Sequence, residues 1–263
     1  MLISHGTGGS AGQMAWLAES LAEAGFLAVG VDHHGNNFVD GYVPQGFAYV
    51  WERPRDLRFA LDALMAERSL GAVGAAGFSA GGYSSAALVG ARLDGMLMWG
   101  LLEGRIPLPE LPEFPDLAEA VRASVPASRL NRALADAGQD HRDERVQAAF
   151  LVCPGLGELV TGESLAGIGR PVGIHWGDAD TITPPEQNAL RYLDTIPGAN
   201  GHSAGAETGH YHFLGNNPDG TQVRRQVAAD AVAFFRTHLL TSPPETTASQ
   251  ATEPRAGAGS RPA

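Results

Sequence analysis

Gly77-Phe78-Ser79-Ala80-Gly81 is the stretch that decides the fold. It matches the pattern G-x-S-x-G, in which the glycines permit a tight turn that projects a serine hydroxyl beyond the end of a strand. A short apolar run of small residues, 71–77, precedes the motif, and a helical pattern, 80–91, follows it. The sequence therefore predicts strand, turn and helix in this order, with Ser79 as a nucleophile.

The rest of the chain repeats the same rhythm of short apolar runs and amphipathic stretches, which is typical of a parallel sheet flanked by helices. We predict one α/β domain over residues 1–240. Its further strands are predicted at 2–4, 26–31, 147–153, 172–176 and 199–206. Helices are predicted from Ser10 to Gly25, from Pro54 onward, from Thr183 through Tyr192, and around Val223 to Phe235, with capping boxes at the first and third.

The rhythm breaks between about residues 94 and 145, where an apolar segment is followed by several prolines, including Pro109 and Pro112. Long excursions inside compact domains are commonly lids or caps, so we expect a helical cap insertion, the alternative being a surface insertion packed on the core. Within it Met98, Trp99 and Leu102 are predicted to contact an acyl chain. Residues 241–263 are rich in Ser, Thr, Pro, Ala and Gly without aromatics, and this tail is predicted to be disordered.

Composition excludes several classes of partner. The formal net charge of −11 argues against nucleic acid, and no apolar run reaches the length of a membrane span. The one cysteine, Cys153, cannot form an internal disulfide and is predicted to be a buried strand residue. Because the glycine-rich loop follows directly on Met1 to Ser4, without room for an export signal, the chain as written is expected to be cytoplasmic. No particular oligomeric state is predicted.

A serine nucleophile needs a base and an acid that orients the base. The order expected after a G-x-S-x-G serine is acid, then histidine. Asp180 follows a predicted strand and is the favoured acid, with Asp178 as its competitor. His210 lies between the last predicted strand and the final helix and is the favoured base, with His212 as its competitor.

The segment His5-Gly6-Thr7-Gly8-Gly9 is a glycine-rich loop between a strand and a capped helix. It lacks the G-x-G-x-x-G pattern and the lysine of a phosphate-binding loop, so no nucleotide or other cofactor is predicted. We assign the N–H groups of Thr7 and Ala80 to an oxyanion hole, although a plain strand-to-helix turn would also explain the loop. His33 and His34 lack the helical spacing of a zinc motif, and no metal site is predicted.

These landmarks together resemble the α/β-hydrolase enzymes similar to platelet-activating factor acetylhydrolase, including bacterial relatives labelled predicted dienelactone hydrolases. The resemblance covers residues 2–214. It rests on the following segments: Ser4-His5-Gly6, Leu17 to Ala22 with Gly25-Phe26, Asp32 to Asn36, Arg53 to Asp56, Gly77 to Gly82, Gly177 with Asp180, and Gly209-His210 with Phe213.

The resemblance implies an α/β-hydrolase fold and a metal-independent serine esterase that acts on a small-molecule ester through an acyl-enzyme. It also implies Asp180 as the acid and His210 as the base. A dienelactone hydrolase would carry cysteine where this chain has Ser79, so that label does not set the substrate. Relatives carry strands before the His-Gly loop, and we expect either a sheet without these edge strands or a longer natural start.

The alternatives are a peptidase, a thioesterase or a polyester hydrolase on the same triad, because fold and triad do not name the leaving group. A non-catalytic protein of the same fold that binds a small molecule is the alternative from another class.

Overall fold

The computed structural model describes residues 1–107, 111 and 113–240. The tail 241–263 that the sequence predicts to be disordered lies outside the described residues, as do Pro109 and Pro112. The strands are β1 Leu2–Ser4, β2 Val29–Val31, β3 Asn36–Asn37, β4 Gly41–Tyr42, β5 Val73–Phe78, β6 Val146–Val152, β7 Val172–Trp176 and β8 Asn200–Ser203. The predicted strand before Ser79 is thus confirmed as β5.

Helices lie on the connections between these strands, and one more helix follows the last strand described. They are α1 Ala15–Glu23, α2 Pro44–Ala48, α3 Arg53–Glu67, α4 Ala80–Leu88, α5 Gly95–Leu102, α6 Leu117–Ser124, α7 Ala127–Leu134, α8 Gly162–Ala166, α9 Ala189–Thr195 and α10 Thr221–Phe235. The predicted α/β organisation is therefore confirmed. Within the described residues, no helix is both long and apolar enough to cross a lipid bilayer.

One six-stranded sheet organises the molecule, in the order β2-β1-β5-β6-β7-β8, and each neighbouring pair in it is parallel. The chain moves outward from β1 to β2, returns to the other side of β1 with β5, and then continues in the opposite direction. In open α/β sheets, ligands bind beyond the carboxyl ends of the strands where the order reverses. The loops that follow β1 and β5 meet at that place.

The sheet centre is made of small side chains. All residues of β5 and of α4 are buried, and glycine and alanine supply most of both elements. Small residues let α4 pack closely on the strands, which compensates for their poor intrinsic strand propensity. The context of two flanking helices therefore outweighs propensity at β5.

Two predicted strand boundaries differ from the structure for local reasons. The strand predicted from Phe26 is limited to Val29–Val31, because the Phe26 N–H instead bonds the carbonyl of Leu21 and closes the end of α1. Cys153 is buried as predicted, but it follows β6 directly and has φ of +42°. It therefore belongs to the turn after the strand.

The capping box predicted at Thr183 is wrong. The chain forms a 3₁₀ turn at Pro185–Gln187, and α9 begins only at Ala189. The Thr183 hydroxyl does not cap this turn, because it bonds the carboxylate of Asp180. The first capping box is better borne out, since the Ser10 N–H donates to the Gln13 side chain ahead of α1.

The segment predicted as an insertion contributes the three helices α5, α6 and α7. Helix α6 packs against α2, and α5 packs against both α6 and α7. Asp94 caps α5 by accepting hydrogen bonds from the N–H groups of Met96 and Leu97. The excursion is thus helical and packed on the body of the protein.

Candidate active site

Ser79 occupies a strained turn between β5 and α4. Its backbone has φ of +55° and ψ of −121°, a conformation that a residue with a side chain adopts at a cost of about 1–3 kcal/mol. The turn is held by its own amides: the Ser79 N–H donates to the carbonyl of Val152, and the Ser79 carbonyl accepts from Gly155 and Gly82. Ser79 is therefore presented at the carboxyl end of β5.

The glycines of the motif are required by close backbone approach. A Cβ on Gly77 would lie 2.1 Å from the carbonyl oxygen of Gly81, and a Cβ on Gly81 would lie 2.1 Å from the carbonyl oxygen of Ser4. Backbone atoms cannot yield as a flexible side chain can. Both positions consequently accept only glycine while β1, β5 and α4 keep their packing.

Asp180 and His210 form a buried pair. The His210 Nδ1 donates to Asp180 Oδ2 at 2.7 Å, because a carboxylate can only accept. Asp180 lies on the loop after β7, and His210 lies on the loop that follows β8. The two loops are joined by backbone bonds from Asp178 and Ala179 to Gly205 and Thr208. The pairing leaves His210 Nε2 as the nitrogen that can take a proton.

Three further donors bond the Asp180 carboxylate. Oδ1 accepts the N–H groups of Ile182 and Thr183 at 2.9 and 2.8 Å, and Oδ2 accepts the Thr183 hydroxyl at 2.8 Å. Burial raises the pKa of Asp180, but the bonds from His210 and Thr183 outweigh it, so the pKa lies below its ordinary value. The carboxyl group is thus kept ionised and aimed at His210.

The competing residues take structural positions. Asp178 Oδ1 accepts the indole N–H of Trp176 at 3.0 Å, which braces the turn after β7. His212 Nδ1 accepts the N–H of Gly209 at 2.9 Å. The structure therefore pairs Asp180, and not Asp178, with a histidine, and that histidine is His210.

Ser79 and His210 are neighbours without being bonded. The ring of Phe78, the residue before Ser79, packs on the imidazole of His210 with centroids 4.6 Å apart. Within the described residues, no hydrogen bond joins the Ser79 hydroxyl to His210. Such bonds between nucleophile and base are commonly long before substrate binds and tighten in the complex.

The His-Gly loop after β1 lies against this turn. A Cβ on Gly6 would approach the Cβ of Ser79 to 3.2 Å, so the loop and the serine are in contact. Among the hydrogen bonds of the described residues, none takes up the N–H of Thr7 or of Ala80. Ala80 begins α4, where the helix dipole favours negative charge.

A buried network that sequence reasoning missed holds the loop in place. The fully buried Arg53 donates to the carbonyl of His5, to Asn36 Oδ1 and to the Ser84 hydroxyl. Asn36 Oδ1 also accepts the N–H of Gly8 at 2.8 Å, and the Tyr42 hydroxyl donates to the Gly8 carbonyl at 2.7 Å. Thr7 therefore lies in a loop whose backbone is anchored on both sides, at His5 and at Gly8.

His5 and His33 are neutral members of the same network. Burial, with Arg53 and His33 nearby, lowers the pKa of His5 to about 2, and burial lowers the pKa of His33 as well. His33 bonds the Ser4 hydroxyl through Nε2 and Asp56 through Nδ1, each at 2.8 Å. Both ring nitrogens of His33 are thus engaged in hydrogen bonds, and His34 is exposed.

Cys153 lies beside the acid and base. Its sulfur, an Asp180 oxygen and a His210 nitrogen all lie within 4.8 Å of one another. Burial, together with the negative charge of Asp180, raises the pKa of the Cys153 thiol well above its usual range. The group is therefore a protonated thiol next to the carboxylate, which makes it neither a thiolate nucleophile nor a thiolate ligand.

Tyr42, Tyr211 and Glu113 lie near the His-Gly loop or next to His210. Glu113 reaches the loop, since a Cβ on Gly8 would lie 2.8 Å from its Cγ and 3.0 Å from the Tyr42 hydroxyl. Burial, then Glu113 and Asp180, raise the pKa of Tyr211, which lies next to His210 in the chain. The sequence did not single out these side chains.

The three predicted acyl-binding residues, Met98, Trp99 and Leu102, lie on α5. Met98 and Leu102 are buried in the hydrophobic core. Trp99 lines a groove between α5 and α7, and Arg105 stacks over its ring at 4.0 Å. Of the described residues, those that line this groove do not include Ser79, Asp180 or His210. The role of the three residues in acyl binding stays a prediction.

No protein-family model matches the chain, and a search of curated proteins finds no similar sequence. The chemistry open to the site therefore follows from its own arrangement. It combines a serine turn held at positive φ, an oriented imidazole and two N–H groups without a partner among the described residues, all at the carboxyl edge of the sheet. These are the parts needed for nucleophilic acyl transfer.

Proposed function

We propose that this protein is a serine hydrolase of the α/β-hydrolase fold that cleaves carboxylic esters through an acyl-enzyme. The observation that carries the proposal is the buried Asp180–His210 pair, 2.7 Å apart, at the same sheet edge as the strained turn of Ser79. A purely structural histidine has no need of an ionised partner beside a serine held at positive φ.

The mechanism starts with the Ser79 hydroxyl. His210 Nε2 accepts its proton as Oγ attacks the ester carbonyl, and the Asp180 carboxylate stabilises the imidazolium. The N–H groups of Thr7 and Ala80 bind the oxyanion of the tetrahedral intermediate. The imidazolium then returns its proton to the departing alcohol, which leaves Ser79 acylated.

Water completes the cycle. His210 Nε2 takes a proton from the water molecule, the hydroxide attacks the acyl carbonyl, and the proton passes to Ser79 Oγ as the carboxylic acid is released. The buried Asp180 remains ionised throughout, because its four hydrogen bonds favour the charged form.

The test is hydrolysis of p-nitrophenyl acetate by the wild type and by Ser79→Ala. We expect the substitution to remove on the order of 10⁶ of turnover, as in other serine hydrolases. Ser69→Ala is the matched control, since Ser69 is exposed and precedes the amino end of β5, whereas Ser79 follows its carboxyl end. Activity in Ser79→Ala close to that of the wild type would refute Ser79 as nucleophile.

A second readout separates an enzyme from a binding protein. A fluorophosphonate probe should label Ser79, and mass spectrometry of the digest should place the adduct on the peptide that contains it. Absence of that adduct in the folded wild type would favour the non-catalytic alternative. A panel of esters, thioesters and amides, assayed with the unlabelled enzyme, then distinguishes the leaving groups.

A further inference from the structure

Two histidines stand side by side on the sheet, away from the serine. His175 of β7 is paired in register with His202 of β8, so their side chains share a face of two adjacent strands. Their ring centroids are 4.2 Å apart in an edge-to-face arrangement. Helix α10 packs on β7 and carries Asp230 toward the two rings.

Asp230 meets both histidines without bonding either. Its Oδ2 lies 3.5 Å from His202 Nε2 and 4.0 Å from His175 Nε2. Among the described residues, Oδ2 is buried with no hydrogen-bond partner, whereas Oδ1 accepts from Gln226 at 3.1 Å. A buried carboxylate oxygen without a donor is costly, and an ion is one of the few groups that can satisfy it.

The distances from Asp230 Oδ2 to the two imidazole nitrogens match those between ligands of one metal ion better than those of hydrogen bonds. Two ligand atoms about 2.0–2.1 Å from one zinc ion lie about 3.4 Å apart at the tetrahedral angle. The three ligand atoms of His175, His202 and Asp230 all lie within 4.8 Å of one another. Small side-chain rotations would bring them to an ion placed between them.

The protonation state suits a metal. Burial and the neighbouring His202 outweigh the attraction of Asp230 and lower the pKa of His175 to about 4. A neutral imidazole offers the lone pair that a metal requires. With Nε2 on the ion, His175 Nδ1 carries the ring proton, and within the described part of the chain this buried nitrogen has no hydrogen-bond partner.

We propose that His175, His202 and Asp230 bind a zinc ion. Two imidazoles and one carboxylate are a common ligand set for zinc sites, in which water takes the fourth position. His202 is 62% exposed, which gives the ion access from solvent. The ion would tie β8, the last strand of the sheet, to α10.

Zinc binding is measured by isothermal titration calorimetry at about pH 7 on the full chain, without a histidine tag and after dialysis against a chelator. We expect one zinc ion per chain. His202→Ala should weaken binding at least about 100-fold, because loss of second-shell partners alone costs 10–100-fold. His34→Ala is the matched control, since His34 is exposed outside the cluster and should leave zinc affinity unchanged.

Asp230→Asn provides a second variant and thermal unfolding a second readout. Zinc should raise the Tm of the wild type and of His34→Ala, and should not raise that of His202→Ala or Asp230→Asn. Failure of the wild type to bind one zinc ion, or equal affinity in His202→Ala, would overturn the proposal. So would loss of binding in His210→Ala alone, which would place the ion at Cys153, Asp180 and His210.

Discussion

Thr183 provides the sharpest test of the proposed site, because its contribution was visible only in three dimensions. Its hydroxyl donates to Asp180 Oδ2 at 2.8 Å and lies 3.2 Å from His210 Nδ1. Thr183→Val removes the hydroxyl and keeps the shape of the side chain. Asp180 then retains His210 and the two backbone N–H groups of Ile182 and Thr183.

The expected loss of activity follows from the one hydrogen bond that Thr183→Val removes from Asp180. A hydrogen bond to a charged group contributes about 1.5–3 kcal/mol, which corresponds to a loss of about 10- to 150-fold if it acts fully on the transition state. The Thr183 hydroxyl contacts the acid and not the substrate region, so kcat should fall while KM stays nearly constant. Thr183→Ser keeps the hydroxyl and should stay within a few-fold of the wild type.

The assay is steady-state hydrolysis of p-nitrophenyl acetate by the wild type, Thr183→Val and Thr183→Ser, with circular dichroism to confirm that each is folded. Wild-type kcat in the valine variant would refute the positioning role of Thr183. Equal losses in both variants would also refute it, because they would trace to packing and not to the hydroxyl.

Two further predictions address the acid and the acyl pocket. Asp180→Asn should lower kcat by about 10⁴, because the amide disturbs the tautomer of the base. Asp178→Asn should have a small effect, since the amide oxygen can still accept from Trp176. Similar losses in the two variants would contradict the assignment of the acid. Trp99→Ala should leave the preference for acyl-chain length unchanged and Tyr211→Ala should alter it, because Trp99 lines a separate groove and the ring of Tyr211 contacts His210. A series of p-nitrophenyl esters measures this preference, and the opposite result would support the sequence-based pocket of Met98, Trp99 and Leu102.

Much of the fold could be predicted because its causes are local. Apolar runs bounded by glycine and proline predicted β5, β6 and β7, and the five residues from Gly77 to Gly81 predicted the turn between β5 and α4. Each of these rests on side-chain size and on backbone freedom at a few consecutive positions. The strand boundaries near Phe26 and Cys153 differ from the predicted ones, because they depend on hydrogen bonds at helix and strand ends that apolar patterning does not encode.

The candidate site, like the fold, could be predicted from the sequence only in part. Ser79, Asp180 and His210 could be chosen from motif, order and the expected ends of strands. The choice between Asp180 and Asp178 requires a distance. The sequence predicts Thr183 as a helix cap, whereas its hydroxyl bonds Asp180. Arg53 and Asn36 were noted only as landmarks, because nothing in a linear pattern shows that both brace the His-Gly loop.

Local sequence patterns account for the alternation of strands and helices, for the turn at Ser79 and for the residue types at the carboxyl edge of the sheet. Only the tertiary structure decided which polar atoms meet there, and it also brought His175, His202 and Asp230 together from β7, β8 and α10. The physical reason is that apolar periodicity acts within one element. Hydrogen-bond and metal-ligand partners, by contrast, are chosen by the register and packing of elements far apart in the chain.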